Sequence, residues 1–422
     1  MSQKIIATQI FYFGSFLQDQ VLPKVLKKFR QHHIIYSYIE TATIACYRWA
    51  IWLNPSFTEA HYKLGRLFHK QQKWQEAAIA FEQVIKIGSF KLVDAYCNLG
   101  RVLLKLKRFE EGIGALQQAI TLEPEHHWHY RFLGDVLSEQ GELAEAINNY
   151  QMASGKKISK THSHIVLKCQ EQQQLSAPNF LIIGQAKCGT SSLYKYLTQH
   201  PKILPAIEKE INFWNGNFAK GLDWYLAHFP AISAEHNFLT GEASPGYLDS
   251  YKAAVSVFQN FPSIKLIVLL RNPVDRTMSH YHMCVKQNRD NRSIEEAILS
   301  GIEVMTTKAN GNSAYDVNGN SYLKRSQYIE AISKWMELFP KKQFLILRSE
   351  DLFADPATTV NQVFKFLGVE PYQLPEYPKK NSGNYPPISQ SMHRTLSNYF
   401  RPFNQQLEEY LDRKFNWDSD AR

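Results

Sequence analysis

Apolar residues recur at the three- and four-residue spacing of amphipathic helices between residues 24 and 160. Within this stretch the pair Leu-Gly returns after 35 and then 34 residues, as Leu64-Gly65, Leu99-Gly100 and Leu133-Gly134. Small and aromatic residues follow each pair at matching offsets, and half of a further unit precedes the first pair. This period is typical of helix-turn-helix repeats, so the pattern predicts an all-α domain of about four units.

A different pattern follows. Residues 157–178 are polar and glutamine-rich, as expected of a solvated helix end and a linker. Three apolar runs come next, at 180–183, 264–270 and 344–347, and helical patterns separate them. Strands that are apolar on both faces and alternate with helices are typical of a buried parallel sheet. The second half of the chain is therefore predicted to be an α/β domain.

The N-terminal stretch 5–17 is strongly apolar but interrupted by polar residues. It is shorter than the roughly 20 residues that a membrane-spanning helix needs, and it lacks the cleavage pattern of a signal peptide. We expect a capping helix at residues 1–23, with contact to a membrane surface as the alternative.

The composition narrows the classes of function. Hydrophobic residues make up 44% and charged residues 21%, as in ordinary globular domains. The formal net charge of +9 suits a phosphorylated or acidic ligand, but no Lys/Arg run accompanies it, so nucleic-acid binding is not expected. Five widely spaced cysteines without a CxxC pair indicate a reducing compartment, and we expect a cytoplasmic protein that needs no metal.

A short glycine-bearing turn follows the first apolar run and leads into a helical pattern. Lys187 and Gly189 lie in this turn. Free backbone N–H groups and the positive end of a helix dipole would converge there on an anion, and a glycine lets the backbone come close. A nucleotide-triphosphatase loop would carry lysine where this chain has Thr190. The turn therefore predicts a phosphate-type ligand, with hydroxyl donors at Thr190, Ser191 and Ser192.

Two further elements carry candidate chemistry. The second apolar run ends in Arg271, and Ser279 follows eight residues later. A guanidinium can donate two parallel hydrogen bonds to phosphate oxygens, and a hydroxyl on the next helix can complete the contact. A structural ion pair is the alternative for Arg271.

Glu208 and Glu210 lie in an acidic and aromatic segment. A carboxylate near the turn's lysine is suited to act as a general base, with a surface position for both glutamates as the alternative.

The repeats and the anion-binding motifs each resemble a known protein family. The repeat positions resemble tetratricopeptide repeats. The K-x-G-T-[ST] turn with Arg271 and Ser279 resembles the sulfotransferases that use 3′-phosphoadenosine-5′-phosphosulfate (PAPS), most of all those that modify glycans of the heparan sulfate type. The resemblance implies a P-loop-like α/β sulfotransferase domain with a central parallel sheet, preceded by an all-α repeat domain. The expected bounds are a capping helix at 1–23, repeats at 24–160, a linker at 161–177 and the sulfotransferase domain at 178–417.

The resemblance also implies residue roles, without a metal. Lys187 would stabilise the leaving phosphate and Glu210 would be the general base, with Glu208 as the alternative. Contacts to PAPS are expected from Lys187, Cys188, Gly189, Thr190, Ser191, Ser192, Arg271, Ser279 and, in a late loop, Lys380. The helix N-terminus and adjacent Lys187 would lower the pKa of the Cys188 thiol, so Cys188 is either redox-sensitive or a small residue that fills the turn.

The implied function is transfer of a sulfuryl group from PAPS to a hydroxyl or amine of an acceptor, by resemblance a saccharide. A protein-tyrosine sulfotransferase and a catalytically inactive tetratricopeptide adaptor are the alternatives. Ala243 and Asn215 stand where many glycan enzymes carry lysine and aspartate, which leaves the acceptor open. The repeat groove would take a protein or peptide partner, or only pack on its neighbour.

Overall fold

Helices build the N-terminal unit, residues 1–169, in the computed structural model. The structure describes residues 3–23, 33–88, 91–163, 175–232, 237–287, 289–307, 320–378 and 388–417. The helices of the first three ranges are α1 (Gln3–Phe16), α2 (His33–Leu53), α3 (Thr58–Lys70), α4 (Trp74–Ile87), α5 (Leu92–Lys105), α6 (Phe109–Leu122), α7 (His127–Gln140) and α8 (Leu143–Thr161). A π-helical turn, Leu17–Val21, continues α1.

The repeated Leu-Gly pairs lie where two helices of one repeat approach most closely. A Cβ atom at Gly65 would come within 2.8 Å of the Phe81 ring, and one at Gly134 within 2.7 Å of the Tyr150 ring. Both partner rings are buried. Because real Cβ atoms do not come this close to a ring, only glycine allows this approach, which is why the glycine returns with the repeat.

A parallel five-stranded sheet forms the centre of the second unit, residues 170–422. Its strands lie in the order β2-β3-β1-β4-β5. Their bounds are β1 (Phe180–Gly184), β2 (Ile203–Pro205), β3 (Leu239–Glu242), β4 (Lys265–Leu270) and β5 (Phe344–Arg348). Every strand pair is parallel, so the carboxyl ends of all five strands lie at one edge. Ligands bind at this edge in open α/β sheets.

Helices connect and cover the strands. They are α9 (Thr190–Leu197), α10 (Leu222–Leu226), α11 (Tyr251–Asn260), α12 (Pro273–Lys286), α13 (Ile294–Thr307), α14 (Asn320–Lys324), α15 (Tyr328–Met336), α16 (Ser349–Ala354), α17 (Pro356–Leu367) and α18 (Gln390–Leu411). Buried side chains of α9 and α17 pack against Phe180, Ile182 and Ile267 of the sheet. This packing fixes the sheet against the helix that begins directly after the predicted anion-binding turn.

The expected fold class is confirmed, since a helical repeat region precedes a domain with a central parallel sheet. The three predicted apolar runs correspond to β1, β4 and β5. Among the residues described, no helix combines the length and the apolar composition that crossing a bilayer would require.

Candidate functional site

The turn after β1 leads directly into α9 at the carboxyl edge of the sheet. Two of its residues adopt left-handed backbone conformations, Lys187 with φ of 76° and Gly189 with φ of 93°. Gly189 is the N-cap residue of α9, and no side chain caps the helix. The first amides of α9 therefore keep their hydrogen-bonding capacity and the positive end of the helix dipole, as an anion site requires.

Buried side chains from distant segments hold this turn. Arg276 is fully buried, and its Nε donates to the carbonyl oxygen of Ala186 over 3.2 Å. Its Nη1 donates to the carbonyl oxygen of Tyr322 over 2.9 Å. The hydroxyl of Ser349 lies 2.6 Å from the carbonyl oxygen of Cys188. A lysine in a left-handed conformation carries backbone strain, and these contacts are what maintain it.

Lys187 lies among other cations. Burial lowers the pKa of its ammonium group, and the positive charges of Arg276 and Arg271 lower it further. In the part of the chain that the structure describes, no carboxylate lies within ion-pair distance of Lys187. Bringing cations together costs free energy that a bound anion offsets. The corner formed by Lys187 and Arg271 therefore suits a multiply charged anion.

Arg271 ends β4, and Ser279 follows on α12. The guanidinium of Arg271 lies 3.5 Å from Asp275, whose side chain is 59% exposed. An ion pair to so exposed a carboxylate is weak, so this contact leaves the guanidinium able to bind a phosphate. Tyr328 donates its hydroxyl to the carbonyl oxygen of Arg271 over 2.7 Å and fixes the backbone there. Ser279 is buried, with 9% of its surface exposed.

The side chains at the start of α9 differ in their exposure. Cys188, Thr190 and Ser192 are buried, whereas Ser191 is half-buried. Burial raises the pKa of the Cys188 thiol to about 11, against the lowering effect of Arg276 and Arg271. The interpretation of Cys188 as a redox-sensitive thiol is therefore wrong, because a thiol with so high a pKa is unreactive. Cys188 fills the turn instead, and its backbone amide donates to the carbonyl oxygen of Gln185 over 3.1 Å within the turn.

The predicted acidic segment approaches the same helix. Lys209 donates from Nζ to the Ser191 hydroxyl over 2.9 Å and forms an ion pair with Glu210. The Glu210 side chain is 46% exposed. One intervening lysine thus connects the candidate base to the candidate donor turn. Glu208 is half-buried in the same segment, and the expected contact of Lys380 lies outside the described residues.

The sequence reasoning missed the buried carboxylate at the end of β3, Glu242. It is fully buried and accepts hydrogen bonds from the hydroxyls of Tyr225, Ser244 and Tyr247 and from the backbone amide of Ile211. Burial raises its pKa to about 7, although the four donors lower it. The sequence feature that could have indicated this buried network is the Glu-x-Ser-x-x-Tyr pattern of residues 242–247, which begins at the last residue of β3.

Known protein families match both units. A sulfotransferase domain model matches residues 177–382, and a tetratricopeptide repeat model matches residues 44–91 and 97–155. The first match contains the anion-binding turn, Glu210, Arg271 and Ser279. The second unit is a sulfotransferase domain. The unit before it consists of tetratricopeptide repeats, as expected, and the interpretation as an enzyme of the sulfotransferase class is confirmed.

The chain is similar in sequence to several curated sulfotransferases, of which three are described here. The chain is 27% identical to membrane-associated sulfotransferase kil1 of Dictyostelium discoideum, over 58% of this chain and 68% of that protein. It is 32% identical to human bifunctional heparan sulfate N-deacetylase/N-sulfotransferase 3, over 56% of this chain and 30% of that protein. It is 28% identical to mouse heparan sulfate glucosamine 3-O-sulfotransferase 5, over 58% of this chain and 75% of that protein.

The chain therefore spans less than a third of the length of the bifunctional relative. The names of these relatives cover transfer both to an amine and to a hydroxyl.

Proposed function

We propose that the chain transfers a sulfuryl group from PAPS to a hydroxyl or amine of a saccharide. The observation that carries this proposal is the position of Lys187, which follows β1 just before the uncapped start of α9, while Arg271 ends the neighbouring strand β4. Lys187 has no ion-pair partner among the described residues. PAPS carries phosphate groups at both ends of its ribose, and two separate cations in one corner suit such a ligand. The names of the heparan sulfate relatives support the saccharide as acceptor.

In this proposal the reaction is a single in-line displacement at the sulfur atom of PAPS, and each site residue has one role in it. Glu210 takes the proton from the acceptor while the acceptor oxygen or nitrogen bonds to sulfur. The bond from sulfur to the bridging oxygen breaks at the same time, and adenosine 3′,5′-bisphosphate leaves with that electron pair. Lys187 donates to the bridging oxygen, where negative charge grows, and therefore stabilises the transition state more than the ground state. Arg271 and Ser279 bind the 3′-phosphate and hold the donor in line.

Binding of the product tests the donor assignment. We expect Arg271→Ala to weaken binding of adenosine 3′,5′-bisphosphate by roughly 2–3 kcal/mol, because charge-assisted hydrogen bonds to phosphate are lost. Affinity for AMP should change little, since AMP lacks the 3′-phosphate. Isothermal titration calorimetry of the full chain with both nucleotides measures this difference.

A matched variant separates the contact from the overall charge. Arg394→Ala removes an exposed guanidinium of α18 and should leave both affinities unchanged. Equal affinity of the unmodified protein for AMP and the bisphosphate would overturn the assignment of Arg271 and Ser279. Incubation with radiolabelled PAPS and a panel of glycans, tyrosine peptides and lipids then identifies the acceptor. Labelling of tyrosine peptides alone would contradict the proposal that the acceptor is a saccharide.

We further propose that the repeats bind an acidic segment of a partner protein. The first helices of successive repeats, α3, α5 and α7, contact one another, and the guanidinium of Arg101 on α5 lies 4.6 Å from the ring centre of Phe132 on α7. Burial lowers the pKa of His69, and the charges of Arg101, Lys105 and Arg66 lower it further. In the described ranges no carboxylate pairs with these three cations. This first-helix surface, defined by Arg66, His69, Arg101 and Lys105, is thus complementary to acidic side chains.

Charge reversal tests this surface. We expect the double variant Arg66→Glu and Arg101→Glu to weaken binding of a fluorescein-labelled glutamate-rich peptide at least about tenfold, since each reversal replaces an attraction by a repulsion. Fluorescence anisotropy is measured on the full chain with saturating adenosine 3′,5′-bisphosphate, so that the donor site cannot take the peptide. The matched double variant Lys86→Glu and Lys160→Glu carries the same charge change on exposed positions of α4 and α8. An equal loss in both double variants would contradict a specific surface.

A further inference from the structure

The segment that carries Glu210 is held by its backbone amides. Three consecutive N–H groups each donate to a side chain of residues 242–247. These bonds are Ile211 N to Glu242 Oε2 at 3.2 Å, Asn212 N to Ser244 Oγ at 3.1 Å and Phe213 N to Tyr247 Oη at 2.9 Å. Residues 242–247 begin at the last residue of β3, at the edge of the sheet where the donor turn begins. A short stretch after one strand thus determines the path of the chain next to the candidate base.

Glu242 joins the three acceptors into one network. Its Oε2 accepts from the Ser244 hydroxyl, and its Oε1 accepts from Tyr247 at 2.8 Å and from Tyr225 at 2.9 Å. Glu242, Ser244, Tyr225 and Tyr247 are all fully buried. A buried carboxylate is tolerated when donors satisfy its oxygens, and here each oxygen has two. The carboxylate therefore orients the Ser244 and Tyr247 hydroxyls so that their oxygens face the segment.

The network also maintains an unusual backbone conformation. Asn212 lies in the left-handed region with φ of 54°, which is unfavourable for a residue with a side chain. Its side-chain amide donates to the carbonyl oxygen of Glu210 over 3.2 Å, and the amide of Ala243 donates to the carbonyl oxygen of Lys209 over 2.9 Å. The backbone is thus bound on both sides of Glu210, whereas the Glu210 side chain itself is 46% exposed.

We infer that Glu242, Ser244 and Tyr247 are positioning residues for sulfuryl transfer, which hold the backbone of 211–213 so that the Glu210 carboxylate stays within reach of the acceptor proton. This inference rests on the proposed role of Glu210. The three residues act through the segment and do not touch the reacting atoms. Loss of one bond would let the segment move, and a misplacement of about 1 Å at a catalytic group can cost about 10²-fold in rate.

Two tyrosines provide a matched pair of variants. Tyr225 and Tyr247 both donate to Glu242 Oε1, but only Tyr247 also accepts from the segment. We expect Tyr247→Phe to lower kcat about tenfold or more with the KM for PAPS unchanged. Tyr225→Phe should keep kcat within about twofold. Both variants should lower the unfolding temperature, Tyr247→Phe by more because it also removes the acceptor of the Phe213 amide. Ser244→Ala removes the bond to Asn212 and should behave like Tyr247→Phe, which provides a second test if one variant folds poorly.

Combination with Glu210→Gln separates positioning from general loss of structure. If Tyr247 acts through Glu210, adding Tyr247→Phe to Glu210→Gln should lower the residual single-turnover rate by less than about twofold. Equal losses of kcat for Tyr225→Phe and Tyr247→Phe would overturn the inference, as would full additivity in the double variant. A Glu210→Gln variant with normal activity would instead overturn the proposed base. The two failures are therefore distinguishable.

Discussion

Lys187→Ala is expected to lower the single-turnover rate of sulfuryl transfer by about 10³-fold, with a much smaller loss of affinity for adenosine 3′,5′-bisphosphate. The ammonium group is half-buried among Arg271 and Arg276, where water screens charge less than at the surface. Its effect is largest when negative charge grows on the leaving oxygen, so the rate should fall more than binding. Rapid-quench assays with radiolabelled PAPS measure the rate, and calorimetry measures the affinity.

The control for Lys187→Ala is Lys202→Ala, which removes an exposed ammonium group before β2 and should leave the rate unchanged. Chelators should change the rate of the unmodified protein little, because the proposed charge stabilisation comes from Lys187. An absolute requirement for a divalent cation, or normal turnover of Lys187→Ala, would contradict this role and favour chemistry on a nucleotide phosphate.

The strands differ in how well their sequences predict them. β1 and β4 are almost entirely buried. Apart from Gly184 at the end of β1 and Lys265 at the start of β4, they consist of consecutive leucine, isoleucine, valine and phenylalanine residues that few other structures would accommodate. β2 and β3 have three and four residues and include Pro205 and Gly241, which individually disfavour strands. Their pairing with neighbouring strands, which no local pattern records, makes them part of the sheet.

The parts of the candidate site also differ in how well the sequence predicts them. The anion-binding turn could be predicted because its glycine, lysine and hydroxyl residues are adjacent in the chain. The contact of Lys209 with Ser191 spans 18 residues, and that of Glu242 with Ile211 spans 31. Contacts at such separations depend on which strands are neighbours, so the network around Glu242 required the structure. The predicted role of each site residue stays a prediction until the variants are measured.

Cys188 shows how two local rules can oppose each other. A helix N-terminus and nearby cations lower the pKa of a thiol, and both are present next to Cys188. The thiol is nevertheless fully buried, and burial raises its pKa to about 11 because the thiolate would lose its hydration. Sequence alone specifies the charges but not the burial, so it gave the wrong direction for this pKa.

Glu210→Gln is expected to abolish most transfer, by about 10²–10⁴-fold, while binding of adenosine 3′,5′-bisphosphate and the unfolding temperature stay near those of the unmodified protein. Glutamine has nearly the shape of glutamate but cannot take a proton. The Glu210 side chain is 46% exposed, so the loss of its ion pair with Lys209 should cost little stability. End-point and single-turnover assays with radiolabelled PAPS and the acceptor found in the panel measure the loss.

Glu208→Gln is the internal control for Glu210→Gln, since it changes the same functional group two residues away in the same segment. If Glu208→Gln abolishes transfer and Glu210→Gln does not, Glu208 is the base. That outcome would also remove the reason for the hydrogen bonds at 211–213 to affect the rate, because they lie next to Glu210. If neither variant slows transfer, the acceptor needs no carboxylate base, which would be the case for an amine that is already deprotonated. Glu210 is then a surface residue whose ion pair with Lys209 orients that lysine towards Ser191.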